Sequence, residues 1–435
     1  MAGSHFSLTR MLLWGLIAPL SGVYAADSKS ETPQKGSKEG LAYEQIQKVE
    51  VYTDNATAPA TPGISPPTEG WWKSQICSGS YCVYTNRKVA KGRGIALVTK
   101  LDEFQKVERV EGHLNHGDNR FEEPASFTET EILEKGPGIT ATKTIRRGKQ
   151  IMSWSPVLLV HKDFFDDVVK KKERTRLLET AVGFLPDATR AAFDKQRIRP
   201  GESSAATNPR SIEEILYAHP FEIDLGAGYR QTHSSKHFIN YPEVALFQHD
   251  CRPNVAYYID SNLHHRTTAA RKITEGEELS ISYIDPFEPR ETRQDWVKRY
   301  RGLNKPCPCA SCTQKNKPEL IKAHDQRMEE LTKIRAELRN HDSKKVTVEV
   351  VDRFLKLYIE EEKLSTKLSE AYELAALNYN YLGEDKKAKK YADLAVQAGI
   401  VEGGKDSNDV AAMRVMASDV TGHYSYRFTL KRRGQ

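Results

Sequence analysis

The sequence predicts an α+β protein: a β-rich body split by a helical insertion, then an all-helical C-terminal region. Three observations carry this. Short segments rich in β-branched and aromatic residues, bounded by turn residues, begin at Trp71-Trp72 and return between residues 254 and 284. Between them, residues 161–218 hold KDFFDDVVKKKERTRLLETAVGF and SIEEILYAHP, which have helical character. From Glu319 onward Lys, Glu, Leu and Ala dominate, with Leu320, Leu331, Ile334 and Leu338 at helical spacing.

At the N-terminus, Arg10 precedes the apolar run Met11–Val23, followed by Tyr24, Ala25 and Ala26 and a polar stretch. That pattern predicts a secretory signal peptide over residues 1–25, cleaved after Ala25; an uncleaved anchor and a cytosolic helix are the other two readings. The run is shorter than the ~20 apolar residues of a membrane span, and no later stretch approaches that length, so no span is expected after cleavage. Residues 26–70, with APATPGISPPTEG, read as a flexible linker holding a short helix at Leu41–Val51. Asn55-Ala56-Thr57 is a glycosylation acceptor if the chain enters that pathway.

Residues 71–130 are expected to form a β-rich extension, with a charged helical stretch from Leu101 to Arg120. GPGITATKTIRRGKQIMSW then reads as a strand at 139–142, a turn at Arg147-Gly148 and a strand at 150–154, a compact β-hairpin arrangement. Further strands are expected at Asn254–Asp260, Thr267–Ala270 and Glu278–Ile284. In the helical region 319–435, ALNYNYLGEDKKAKKYADLAVQAG has the spacing of a tetratricopeptide-type hairpin. A plain amphipathic bundle packed on the β-rich body is the equal alternative, and either could bind proteins.

Composition narrows the function. Lys plus Arg total 65 and Asp plus Glu 59 in 435 residues, a formal charge of +6. That bias is too weak to imply nucleic acid as a direct partner. Hydrophobic residues at 38% suffice for a sizeable core, and six cysteines are too few for a disulfide-dense miniprotein.

Four segments carry chemistry: Gly136-Pro137-Gly138, FQHDCRPN at 247–254, GEELSISYID at 276–285 and CPCASC at 307–312. Taken alone, each could be an ordinary turn or strand. Together, in this order, they resemble the SET-domain protein lysine methyltransferases over about Gly136 to Cys312. GPGITATKTIRRGKQIM resembles the opening motif, FQHDCRPN the N-H-S-C-x-P-N motif, GEELSISYID the E-E-L-x-x-x-Y strand and CPCASC the post-SET C-x-C-x2-C. The helical insertion and helical C-terminus are similar to the split-domain SET-and-MYND proteins and their fungal relatives, although no MYND zinc module is found in the sequence.

The resemblance implies a SET domain over 131–286, with its helical insertion at about 161–218, and a post-SET zinc motif over 300–315. It implies a pseudoknot, S-adenosylmethionine as methyl donor, and a protein lysine as acceptor, a histone being one candidate. By motif position, Gly136, Pro137 and Gly138 would offer backbone groups to the cofactor, where glycine permits close approach. Gln248 and His249 would line the cofactor and build the pseudoknot. Tyr283 would be the catalytic tyrosine, meeting both cofactor and lysine channel. Gln248 departs from the family's Asn, and a longer amide reaches a different place. That departure favours an alternative, a SET-fold protein with a weakened or inactive site acting as an interaction scaffold. Ile281 stands where the family limits methyl number, often with an aromatic residue. Trp154, Phe247, Tyr258 and Phe287 are candidate aromatic walls, each with ordinary core packing as the competing role.

Cys307, Cys309 and Cys312 are too tightly spaced to pair readily with one another and suit tetrahedral Zn²⁺. The resemblance supplies Cys251 as fourth ligand. The competing reading is three disulfides from six cysteines, which secretion would favour. Cys77 and Cys82 form a separate pair, a small disulfide loop in a secretory setting and free thiols in the cytosol. The compartments conflict: the N-terminus reads as secretory, whereas the family implies nucleus or cytoplasm. A second G-x-G, Gly92-Arg93-Gly94, lacks the turn glycine and second strand that follow Gly136–Gly138, so the latter is preferred as the opening motif.

Overall fold

The computed structural model describes residues 70–109, 111–116, 125–197, 209–219, 221–226, 235–301, 306–313 and 317–434. The expected signal peptide, and the linker up to residue 69, lie outside the described residues. Sheets and helices are mixed as α+β requires.

The largest sheet has six strands in the order β1 (Trp72–Ser78), β2 (Tyr81–Asn86), β3 (Ile95–Thr99), β7 (Leu158–His161), β9 (Lys236–Asn240) and β8 (Glu222–Asp224). The β3–β7 pair is parallel and the other pairs are antiparallel. One face carries Val83, Ala96, Val98, Leu158 and Val160, and it buries Leu177, Leu178, Ala181, Ile215 and Leu216 of the helical insertion. That insertion comprises α2 (Lys171–Gly183), α3 (Asp187–Asp194) and α4 (Ile212–Ala218). Ser211 starts α4 with a capping box: its hydroxyl accepts from Glu214 N, and the Glu214 carboxylate accepts from Ser211 N at 2.8 Å.

Three smaller sheets build the remainder. A hairpin joins β4 (Phe127–Ile132) to β5 (Gly136–Ala141), with Gly136 at φ +86° supplying the turn. β6 (Gln150–Trp154), β11 (Val255–Ile259) and β12 (His265–Ala269) form a three-stranded sheet in the order β11–β12–β6. The hairpin expected between 139–142 and 150–154 therefore does not form: β6 takes its ladder bonds from β12, and β5 takes its own from β4. β10 (Gln248–His249) and β13 (Ser280–Ile281) make a two-residue parallel pair. The strand expected over Glu278–Ile284 is shortened to β13 because its flanks bond elsewhere. Leu279 N donates to Ile139 O, and Ile281 O accepts from Asp250 N. The charged stretch after Leu101 begins with α1 (Leu101–Arg109), which buries Phe104 and Val107.

After β13 come α5 (Arg290–Arg301), α6 (Pro318–Arg339), α7 (Val348–Leu355), α8 (Leu368–Tyr381), α9 (Asp385–Gly403) and α10 (Asn408–Ser418). The α8–α9 hairpin forms where the sequence shows tetratricopeptide-like spacing. Its contact is built from small residues, Ala371, Ala375, Ala388, Ala392 and Ala395, all buried. The helices dock on the three-stranded sheet: Thr268 Oγ1 donates to Val401 O, and a Cβ at Gly404 would meet the Tyr258 ring at 2.8 Å. No described helix is long and apolar enough to cross a membrane.

Candidate functional site

The site grows from loop 247–254. A short 3-10 turn, Pro242–Leu246, delivers buried Phe247 and then Gln248 and His249 into β10. The chain next turns at Asp250, whose Oδ1 accepts from Arg252 N at 2.8 Å. Asn254 ends the turn by mimicking a strand. Its Nδ2 donates to Glu278 O at 2.7 Å and its Oδ1 accepts from Ser280 N at 3.0 Å. A side-chain amide thus completes the ladder that β10 and β13 begin, and the two segments are laced together over 248–254 and 278–283.

Tyr283 lies at the end of this lacing and is 5% exposed. Its backbone N–H donates to His249 Nδ1 at 3.1 Å. That bond makes Nδ1 an acceptor, so the ring proton of a neutral His249 sits on Nε2, 3.3 Å from Cys251 Sγ. The Tyr283 hydroxyl donates to Phe247 O. Its ring faces His249 at 5.7 Å, His219 at 6.0 Å and Trp296 of α5 at 6.0 Å. Burial, then the Tyr283 charge, raise the pKa of Tyr257 well above its ordinary value, so its hydroxyl stays protonated near neutrality.

The structure brings Gln248 and Gly136–Gly138 together. Gln248 Nε2 donates to Pro137 O, and a Cβ at Gly138 would meet Ile132 Cγ1 at 2.6 Å and Gln248 Cγ at 3.2 Å. Close approach therefore does require glycine at 138, but the approaching group is the protein's own side chain. Gly136, Pro137 and Gly138 stand opposite Ile132, Glu131 and Thr130 in the β4–β5 ladder. Lys135, just before them, donates to both carboxylate oxygens of Glu278 at 2.9 Å and ties the hairpin to the lacing. The other G-x-G is more contorted: Ala90, Lys91, Gly92 and Gly94 all have positive φ. Between its glycines, Arg93 makes a two-pronged pair with Glu243 and lies over the Trp154 ring at 4.8 Å.

Of the candidate aromatic walls, Phe247 adjoins Tyr283. Trp154 is covered by Arg93 and Tyr258 by Gly404, while Phe287 packs on Tyr358 and under Arg335 at 3.8 Å. Tyr257, Trp296 and His219 surround Tyr283 and were not singled out by sequence. Trp296 sits in the charged run RETRQDWVKRYR, whose one apolar face signals burial only when the fold is known.

The four cysteines converge. The Sγ atoms of Cys251, Cys307, Cys309 and Cys312 all lie within 4.8 Å of one another, and all four residues are buried. Cys251 comes from the laced loop, Cys307 and Cys309 from the segment after α5, and Cys312 from the one-turn helix Ala310–Thr313. Cys309 O accepts from Cys312 N and Thr313 N at 3.0 Å, and Gln294 of α5 accepts from Cys307 N at 2.6 Å. Zinc–sulfur bonds of about 2.3 Å at tetrahedral angles put sulfurs about 3.8 Å apart; Cys251 and Cys312 are at 3.6 Å. Hydrogen bonds from Cys307 and Cys309 hold the Cys251 thiol well below its ordinary pKa. The donor set thus fits a thiophilic, tetrahedral cation. Cys77 and Cys82, opposite each other across β1–β2, form a disulfide, and the other four cysteines are free. The reading of six cysteines as three disulfides is overturned.

Residues 136–284 match the family model of the SET domain. The chain thus carries a SET domain over those residues, and the proteins it resembles are named as lysine methyltransferases or as SET and MYND domain-containing proteins. It is 38% identical over 77 residues to the N-lysine methyltransferase SMYD2 of Homo sapiens, covering 18% of this chain and 17% of that protein. A SET and MYND domain-containing protein of Dictyostelium discoideum is 37% identical over 73 residues, 17% of this chain and 14% of that one. The histone-lysine N-methyltransferase SMYD1 of Homo sapiens is 31% identical over 93 residues, 19% of each chain. The chain spans less than a fifth of the length of these curated relatives.

Proposed function

We propose that this chain methylates the ε-amine of a protein lysine, using S-adenosylmethionine as donor, with a histone among the candidate substrates. The observation that carries the reading is the Tyr283 hydroxyl joined to the Phe247 carbonyl inside an aromatic setting of His249, His219 and Trp296. Oxygen acceptors and ring faces suit a cationic sulfonium. When bound, S-adenosylmethionine would supply an electrophilic methyl group. Gln248 and His249, with the segment Gly136–Gly138, are the residues assigned to hold it.

The chain's own residues account for the rest. A lysine must lose its proton to attack, and its unperturbed pKa is about 10.4. Burial at Tyr283 strips water from the ammonium and lowers that value. The Tyr283 hydroxyl and the Phe247 carbonyl orient the amine and exclude water, so positioning supplies much of the rate. Cys251, Cys307, Cys309 and Cys312 would hold zinc and fix the segment after α5 against the laced loop. Gln248, the residue that favours a scaffold reading, is built into the site through Pro137.

Calorimetry of S-adenosylmethionine binding to the zinc-loaded chain tests this without knowing the acceptor. A micromolar constant, about −8 kcal/mol, is expected. A folded, zinc-loaded protein that does not bind would refute the proposal.

A further inference from the structure

We propose that Arg293 is the built-in counter-charge of the four-cysteine centre, a buried guanidinium that stabilises the metal-bound thiolates and sets how tightly they hold a divalent cation. The inference rests on reading those cysteines as one metal centre.

Arg293 is 1% exposed, one of the largest fully buried side chains among the described residues. Its Nη1 donates to Pro286 O at 3.3 Å and to Glu288 O. Its Nε and Nη2 are also buried, and neither makes a hydrogen bond of ordinary geometry. A buried guanidinium left in this state is expensive, because it has surrendered water without full compensation. Burial works against the charge, and the Cys251 and Cys312 sulfurs outweigh it, acting both as negative charges and as acceptors. The Glu288 carboxylate also feels the guanidinium.

The chemistry closes on the metal-bound state. Four neutral thiols offer Arg293 only weak acceptors. Four thiolates around a divalent cation carry a net charge of −2, and thiolate sulfur accepts well. One guanidinium halves that excess charge in a site sealed from water. Nε and Nη2 then have partners that the metal-free thiol form does not provide.

One helix carries the whole arrangement. On α5, Arg293, Gln294, Trp296 and Val297 stand at spacings that share a face. Gln294 accepts from Cys307 N, Val297 and Trp296 pack on the cysteines, and Trp296 reaches Tyr283. Arg293 is thus a positioning residue: it shares a helix face with the side chains that pack on the cysteines, and it acts on the tyrosine through that helix.

The test uses the full-length chain loaded with zinc, as wild type, Arg293→Lys and Arg293→Met. Zinc affinity is read by competition with a chromogenic chelator, and the sulfur-to-metal absorption band is recorded after cobalt substitution. Arg293→Met should lose zinc at least tenfold more readily and shift the cobalt band. Arg293→Lys keeps the charge without the fork, and should fall between wild type and Arg293→Met. Unchanged zinc affinity in folded Arg293→Met would overturn the proposal. So would equal losses in both variants with an unmoved cobalt band, because that pattern reports lost packing at Pro286 and Glu288. If Arg293→Met does not fold, Arg293→Lys decides. A fold-intact variant that loses zinc more readily than wild type but less than Cys309→Ser, with a shifted cobalt band, supports the proposal. Wild-type affinity with an unmoved band, or a loss as large as that of Cys309→Ser, rejects it. A wild-type chain that binds neither metal would remove the centre itself, and the inference with it.

Discussion

The side-chain amide of Gln248 donates to the carbonyl oxygen of Pro137 across 111 positions of sequence. The extra methylene that distinguishes Gln from Asn is what spans this gap. Gln248→Asn should therefore lose the bond as fully as Gln248→Ala does. Each should cost about 1 kcal/mol, the net worth of a typical hydrogen bond. A denaturant midpoint that falls in both variants, with the slope unchanged, would show it. A wild-type midpoint in Gln248→Asn would mean that the shorter amide reaches another partner.

Tyr283→Phe removes the hydroxyl that meets Phe247 O and leaves the ring among His249, His219 and Trp296. Turnover should fall by about a hundredfold, the scale seen when one positioned donor is lost from an active site. The unfolding midpoint should move little. Single-turnover methyl transfer to a lysine peptide library gives the first number, and thermal unfolding the second.

Cys309→Ser should reduce bound zinc from one equivalent toward none, measured by mass spectrometry of the metal after gel filtration. Cys309 O also accepts from Cys312 N and Thr313 N, so the one-turn helix keeps its backbone bonds in the variant. The segment should consequently stay helical while its attachment to loop 247–254 loosens. Faster hydrogen exchange at Cys251–Asn254, with the β4–β5 hairpin unaffected, is the expected pattern.

Glu362 joins the helical region to loop 247–254. It accepts from Arg252 at 3.1 Å, pairs with His324 at 2.6 Å and with Arg327 at 2.7 Å, and is nearly inaccessible. Glu362→Gln should destabilise by about 3–5 kcal/mol, as expected when one member of a buried ionic group is removed. Burial raises the Glu362 pKa, but the bonds and charges of His324, Arg327 and Arg252 prevail and hold it at about 2, below its usual 4.5. A depressed carboxyl stabilises the fold fully above about pH 4.5, and that contribution is lost as pH falls toward 2. The wild-type and variant stability curves should converge over that window; parallel curves would refute the assignment.

How much of this the sequence revealed depended on the range of the interaction. Single strands and the turn at Gly148, at φ +80°, were legible because alternating residues and turn glycines act locally. Their pairing was not, since β5 pairs with β4 and β6 with β12, so 139–142 and 150–154 do not form the expected hairpin. β8 and β9 were not legible, since segments of three and five residues gain their stability from a sheet assembled across the whole chain. The strand at Glu278–Ile284 was read too long, because Asn254 and Ile139 take the bonds a longer ladder would use. Cys307, Cys309 and Cys312 declared themselves by spacing, whereas Cys251 joined them only by resemblance. Arg293 gave no sign: in RETRQDWVKRYR an arginine reads as solvated until the fold seals it in. Tyr257, Trp296 and His219 were missed for the same reason.

Cys251 and Cys312 are 61 positions apart, and Tyr283 lies between them. A growing chain thus presents its tyrosine before three of the four cysteines have left the ribosome. Until Cys312 arrives, the laced loop is held by its own bonds alone. Capture of the cation would then be the closing act of assembly, cinching the segment between those two cysteines as a drawstring does. On that schedule, the supply of free zinc at the moment of synthesis, more than any later encounter with substrate, would govern what fraction of new chains becomes competent.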